Sequence, residues 1–107
     1  MKKTTIGDVM IQTTITNDNI NNGRIKCNDK CPIALSFNKH KDVAHVSIFD
    51  THSWLYLKKK ENGKTVMLDF YHSKELLDFV KKFDNKEKVL PQSFLFDETL
   101  LRKKIIL

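Results

Sequence analysis

Asn62-Gly63 separates two alternating runs, "SWLYLKKKE" and "KTVMLDFY". A two-residue Asn-Gly turn accepts positive φ at both positions, so it joins twisted antiparallel strands directly. Such a turn predicts a register with Glu61 opposite Lys64, Leu57 opposite Leu68 and Leu55 opposite Phe70. Side chains alternate between the two faces of a strand, so Leu55, Leu57, Val66, Leu68 and Phe70 share one face and mark it as the core side. The other face then carries Trp54, Tyr56, Lys58 and Lys60 with Thr65, Met67, Asp69 and Tyr71. In that register Trp54 opposes Tyr71 and Lys58 opposes Met67.

The rest of the chain supplies partners for this hairpin. "VMIQTTIT" (9–16) is β-branched and alternates, with Val9, Ile11, Thr13 and Ile15 on one face. "NDNINNGR" (17–24) reads as a helical turn capped by Asn17 or Asp18 and stopped by a left-handed Gly23. "CPIALSFNKH" (31–40) reads as a second helix with Ile33, Ala34 and Phe37 inward. "DVAHVSIFD" (42–50) alternates with Ala44, Val46 and Ile48 on one face and His45 and Ser47 on the other. Residues 72–84 form an amphipathic helix that Ser73 can cap, with Leu76, Leu77, Phe79, Val80 and Phe83 as its stripe and Lys81 and Lys82 near its C-terminal end. A loop (85–92) and a short strand (93–98) follow. The order β-α-α-β-β-β-α-β predicts an α+β fold, a mostly antiparallel sheet of four to five strands with helices on one face. Residues 9–98 form a single domain between a loose N-terminus, 1–8, and a C-terminal tail, 99–107.

Among 107 residues, 19 are Lys or Arg and 13 are Asp or Glu, a net charge of +6. An excess of this sign favours an anionic partner, either a small molecule or nucleic acid. No apolar run approaches the roughly 20 residues that span a bilayer, and the first ten residues lack the apolar core of a signal peptide. The expectation is a cytoplasmic protein, with no membrane partner and with reduced cysteines.

"KCNDKCPIALSF" (26–37) holds both cysteines, four residues apart. A zinc site needs four ligands, and the alternative set here would be Cys27, Cys31, His40 and His45. Against that set, 31–40 reads as an apolar helix and His45 sits inside a patterned strand. A thioredoxin-like pair would want two intervening residues, not three. Pro32 suits the first helical position, which makes Cys31 the N-cap and the stretch a helix start. No carboxylate pair and no acid or histidine signature accompanies it, so the chain is read as no enzyme, with no cofactor and no catalytic residue.

"NINNGRIKCNDKCPIAL" and "FVKKFDNKEKVLPQSFLF" together resemble a family of small bacteriophage-encoded proteins. Its pattern is paired cysteines before Pro-hydrophobic-Ala, then a helix ending in Phe-Asp and a Val-x-Pro-x-x-Phe-x-Phe segment. The matching positions are Ile20, Gly23, Cys27, Cys31, Pro32, Ile33, Ala34, Phe83, Asp84, Val89, Pro91, Phe94 and Phe96, within about Ile11 to Asp97. Here three residues separate the cysteines, where the family often has two. The resemblance implies a viral origin, expression in a bacterial host and a role in host manipulation or counter-defence. It brings no catalytic residues.

The outward hairpin face carries the functional expectation. Aromatic rings among cations stack bases and neutralise phosphates, and the ligand-binding candidates are Trp54, Tyr56, Lys58, Lys60 and Tyr71. The sharpest ligand is a nucleotide signal of antiviral defence. The alternatives are an inhibitor that binds a host defence protein such as a nuclease, or direct nucleic-acid binding. The same face could equally pair subunits of a homo-oligomer, or simply stabilise the sheet by cross-strand aromatic contacts.

Overall fold

A computed structural model describes residues 9–107. The expected loose N-terminus, 1–8, lies outside these described residues. The chain forms β1 (Met10–Ile15), α1 (Asn17–Asn22), α2 (Pro32–Ser36), β2 (Val43–Ile48), β3 (His52–Leu57), β4 (Val66–Tyr71), α3 (Lys74–Asp84), β5 (Gln92–Asp97) and β6 (Leu101–Ile106). The fold is α+β. Its strands make two antiparallel sheets rather than one, a β1-β5 pair and a four-stranded sheet ordered β2-β3-β4-β6. Among the described residues no helix is long and apolar enough to cross a membrane.

The core fills the space between the sheets and under the helices. Ile15, Leu55, Phe70 and Phe96 are fully buried within it. Phe96 of β5 links the layers, with its ring edge-on to Phe70 of β4 at 5.3 Å and 6.0 Å from Phe37 beyond α2. Phe79 of α3 packs edge-on against Phe94 of β5 at 5.5 Å. Ser73 caps α3 by accepting the Leu76 N–H at 3.2 Å, Glu75 stands in the first turn, and Lys81 and Lys82 stand in the last. Leu77 leaves the expected stripe and is exposed.

The Asn-Gly turn forms as expected. Asn62 and Gly63 take φ of 50° and 75°, and Glu61 and Lys64 exchange both backbone hydrogen bonds. Beyond the turn the register slips by two residues, so Leu55 pairs with Leu68, Tyr56 with Met67, Trp54 with Asp69 and His52 with Tyr71. Between the Tyr56–Met67 pair and the Glu61–Lys64 bridge the first arm has four residues, 57–60, and the second has two, 65 and 66. There the Lys58 N–H donates to the Asp42 carbonyl, continuing the pairing with β2. A slip of two preserves which face each side chain occupies, because the period is two. Within β3 and β4 the pairings differ from the expected ones; the faces do not.

Three further local readings are corrected. A bulge between Val43 and His45 leaves Ala44 exposed and buries Val43, which removes more apolar surface from water. The cap of α1 is Thr16, in a reciprocal capping box with Asn19, rather than Asn17 or Asp18. The expected tail is β6, the strand that completes the larger sheet.

Gly23 is extended, at φ −72°, so it supplies no left-handed stop. A Cβ there would lie 2.6 Å from both Cδ and Cγ of Pro32 and 2.8 Å from its nitrogen. The glycine is therefore required by close approach to the start of α2. Gly23→Ala is expected to destabilise the fold by about 1–3 kcal/mol through overpacking. Urea unfolding reads this directly, and an unchanged midpoint would show that the Pro32 contact yields freely.

Candidate functional site

The register across the larger sheet lays out its outer face in rows. One row is His45, Tyr56, Met67 and Ile105; the next is Ser47, Trp54, Asp69 and Lys103; His52 and Tyr71 begin a third. Met67 is buried yet stands apart from the core cluster, as its place on this opposite face requires. Trp54 and Tyr56 are half-buried and Tyr71 is 53% exposed, so none of the three is sealed inside the protein.

The rings of this face hold one another in place. Phe49 stacks on His52 at 4.7 Å and meets Trp54 edge-on at 4.9 Å, while His45 lies 5.5 Å from Tyr56. Such offset and edge-to-face contacts fix the rings while leaving part of each π-surface open. Phe49 and His52 follow β2 closely because the Phe49 N–H donates to the His52 carbonyl at 2.9 Å, closing a tight turn.

The centre of the face is polar. Asp69 is 2% exposed and is paired with Arg102, whose Nη1 donates to Oδ2 at 2.7 Å. The other carboxylate oxygen, Oδ1, has no hydrogen-bond partner among the described residues. The Arg102 guanidinium lies 5.9 Å from the centre of the Tyr71 ring. The hydrogen bond to Asp69, with Tyr71 second, raises the Arg102 pKa further. Arg102 is thus a fixed cation held by one nitrogen, with its side chain 47% exposed and donors left over. Lys103, on the same row as Trp54, is exposed.

Of the expected ligand-binding residues, Trp54, Tyr56 and Tyr71 meet on this face. Lys58 and Lys60 do not lie on its strands; they are exposed in the first arm beyond β3. That arm is tied to β6 by Lys104, whose Nζ lies 2.5 Å from Glu61 Oε2. The cation sequence reasoning missed is Arg102, because 99–107 shows no strand-like alternation. A signal was present all the same. A lone acid in "VMLDFY" must find a cation if both neighbouring faces are buried.

The alternative metal set is dispersed. The Asp42 N–H donates to His40 Nδ1 at 3.0 Å, which places the proton on Nε2, and Nε2 donates to the Gln12 carbonyl at 3.1 Å. Both ring nitrogens of His40 are therefore used. His45 is exposed on the outer sheet face, while Cys27 and Cys31 lie in a loop packed near α3. Among the described residues, no three His, Cys, Asp or Glu side chains converge as metal ligands. Cys31 is the N-cap of α2 but makes no capping hydrogen bond, and burial pushes its thiol up to about 11. Burial outweighs the amides at the helix start, so Cys31 is not an activated nucleophile.

A serine–histidine contact lies on the core side. Ser53 Oγ and His72 Nε2 are 2.5 Å apart, with Ser53 fully buried and His72 6% exposed. This contact ties β3 to the chain after β4. Comparison of the whole chain with protein families, curated proteins and solved structures gives no match.

Proposed function

We propose that this is a non-enzymatic binding protein whose outer sheet face takes an anionic ligand with planar rings, a nucleotide or a closely related phosphorylated molecule. The observation that carries the reading is Arg102, pinned by buried Asp69 beside Tyr71 on the face that also presents Trp54 and Tyr56. A base stacked on such a ring contributes about 1–3 kcal/mol, and phosphate oxygens meet the remaining donors of Arg102 and the ammonium of Lys103. The net charge of +6 favours the approach of any such anion. The resemblance to phage proteins suggests the setting, capture of a nucleotide signal of host defence in the host cytoplasm.

Calorimetry against cyclic nucleotides, ADP-ribose and short single-stranded oligonucleotides tests this. At least one phosphorylated ligand is expected to bind, with Arg102→Ala weakening it about tenfold or more, as loss of a charged hydrogen bond implies. Silence from the whole panel at high micromolar protein contradicts the proposal. Tight binding only of the oligonucleotides, falling steeply with salt, would instead identify a nucleic-acid-binding protein. A protein partner is the second reading, favoured by Leu107, which is 60% exposed just beyond the end of β6 beside Thr65.

A further inference from the structure

The apolar stripe of α3 is only half used by the core. Leu76 and Phe79 are buried, whereas Leu77 is exposed and Val80 and Phe83 are half-buried. Leu77, Val80 and Phe83 form one wall of a cleft of about 670 Å³ that the function proposed above does not use. Buried Ile33 and Ile48 also border it. Sites for small organic ligands run from about 300 to 1,000 Å³, so this one can enclose such a molecule. Its floor is dry, since burial pushes the thiol of Cys31, which faces the same space, up to about 11.

The facing wall is the loop before α2, and it is held at two points. The Lys26 N–H, at a residue with φ of 55°, donates to Asp84 Oδ1 at 2.9 Å. The Asn28 carbonyl accepts the Ile48 N–H at 2.8 Å. A lysine at positive φ is uncommon, and the Asp84 bond keeps this one there. Both walls are therefore fixed before any ligand arrives.

Charges of both signs border this apolar space, Lys26 and Lys81 with Asp50 and Asp84, and they are sorted along its length. Leu77, Lys81 and Asp84 follow one another at helical spacing on one face of α3, and the row covers roughly 10 Å. Asp50 stands at the Leu77 end, because the carbonyl of its neighbour Thr51 accepts the His72 N–H at 3.1 Å just before α3 begins. Lys26 stands at the Asp84 end through its backbone bond. There the N–H groups of Asn85, Lys86 and Glu87 already occupy the Lys81, Phe83 and Lys82 carbonyls, and Asp84 Oδ1 is also taken. The two lysines therefore set the sign of that end.

We propose that the cleft binds a short apolar peptide with both termini free. An extended chain spans about 3.3–3.6 Å per residue, so about three residues match the row. The peptide ammonium meets Asp50, and its carboxylate meets Lys81 and Lys26. Its side chains cover Leu77, Val80 and Phe83 and remove them from water. A fatty acid would satisfy the lysine end alone and leave Asp50 without a partner.

Calorimetry with trileucine, its N-acetylated and C-amidated forms and nonanoic acid tests the site. Trileucine is expected to bind, and each cap should weaken it about tenfold or more, as loss of a charged hydrogen bond implies. Asp50→Asn should weaken trileucine to the same degree and leave the N-acetylated form unchanged. Lys81→Gln should do the same with respect to the C-amidated form. Both side chains are exposed, and the capped peptides report on the wild-type protein without any variant. No heat from trileucine at millimolar concentration overturns the proposal. Equal affinity for the capped forms, or for nonanoic acid, overturns it as well. The sheet-face reading stands or falls separately, because no residue of the cleft lies on β3, β4 or β6.

Discussion

Phe96→Ala is expected to lower unfolding free energy by about 3–5 kcal/mol, the range for emptying a buried phenylalanine site. Phe96 is fully buried and touches rings from both the larger sheet and the α2 region, so its loss opens a cavity where the two sheets meet. Total stability for a domain of this size is about 5–15 kcal/mol, so the variant should sit close to its unfolding threshold. Leu95, the preceding residue on the opposite face of β5, is 42% exposed. Leu95→Ala should change stability by no more than about 0.5 kcal/mol. Urea melts of the pair report whether the layers are joined at Phe96. A loss under about 1 kcal/mol at Phe96 would mean that the sheets are held elsewhere.

Acid should weaken the fold through His72. Burial lowers its pKa from 6.5 to about 4, and its Nδ1 has no hydrogen-bond partner among the described residues. Between those two values the unfolded chain binds a proton that the folded chain refuses. Stability therefore falls as pH drops from about 6.5 to about 4, and this group contributes no slope above or below that window. The shift corresponds to about 3 kcal/mol across the window. His72→Gln keeps a polar partner for Ser53 and removes the titration, so its stability should be flatter between pH 6.5 and 4. If both proteins lose stability in parallel over this range, another group governs the acid response.

The parts of the fold that were legible in the sequence are those decided locally. Asn62 and Gly63 announced the turn because few residue pairs accept positive φ twice. The face of each residue within β3 and β4 survived the two-residue slip because alternation is insensitive to an even shift. The exact pairings were not legible from the hairpin alone, where the first arm also pairs with β2 and continues that ladder through the Lys58 N–H to the Asp42 carbonyl. Val43 and Ala44 are both apolar, and only burial in the finished core selects the larger one. Gly23 was marked by its residue type but for the wrong reason, because its constraint comes from Pro32, nine residues on.

The candidate site divides along the same line. Its aromatic half is local to the hairpin and was readable as Trp54, Tyr56 and Tyr71. Its cationic half is not, because Arg102 reaches Asp69 only once β6 pairs with β4. "LRKKII" has neither alternation nor a turn signal, and a bulge beside Asp69 and Phe70 breaks the pattern further. Lys58 and Lys60 were placed on the face by extending the alternation past Leu57, where the strand in fact ends.

Amide chemical-shift mapping during titration with the tightest-binding nucleotide locates the ligand most directly. The account predicts shifts concentrated on β3, β4 and β6 around Trp54, Tyr56, Asp69, Tyr71 and Arg102. Shifts gathered instead around Cys27, Ile33 and Phe83, with the hairpin silent, would contradict it.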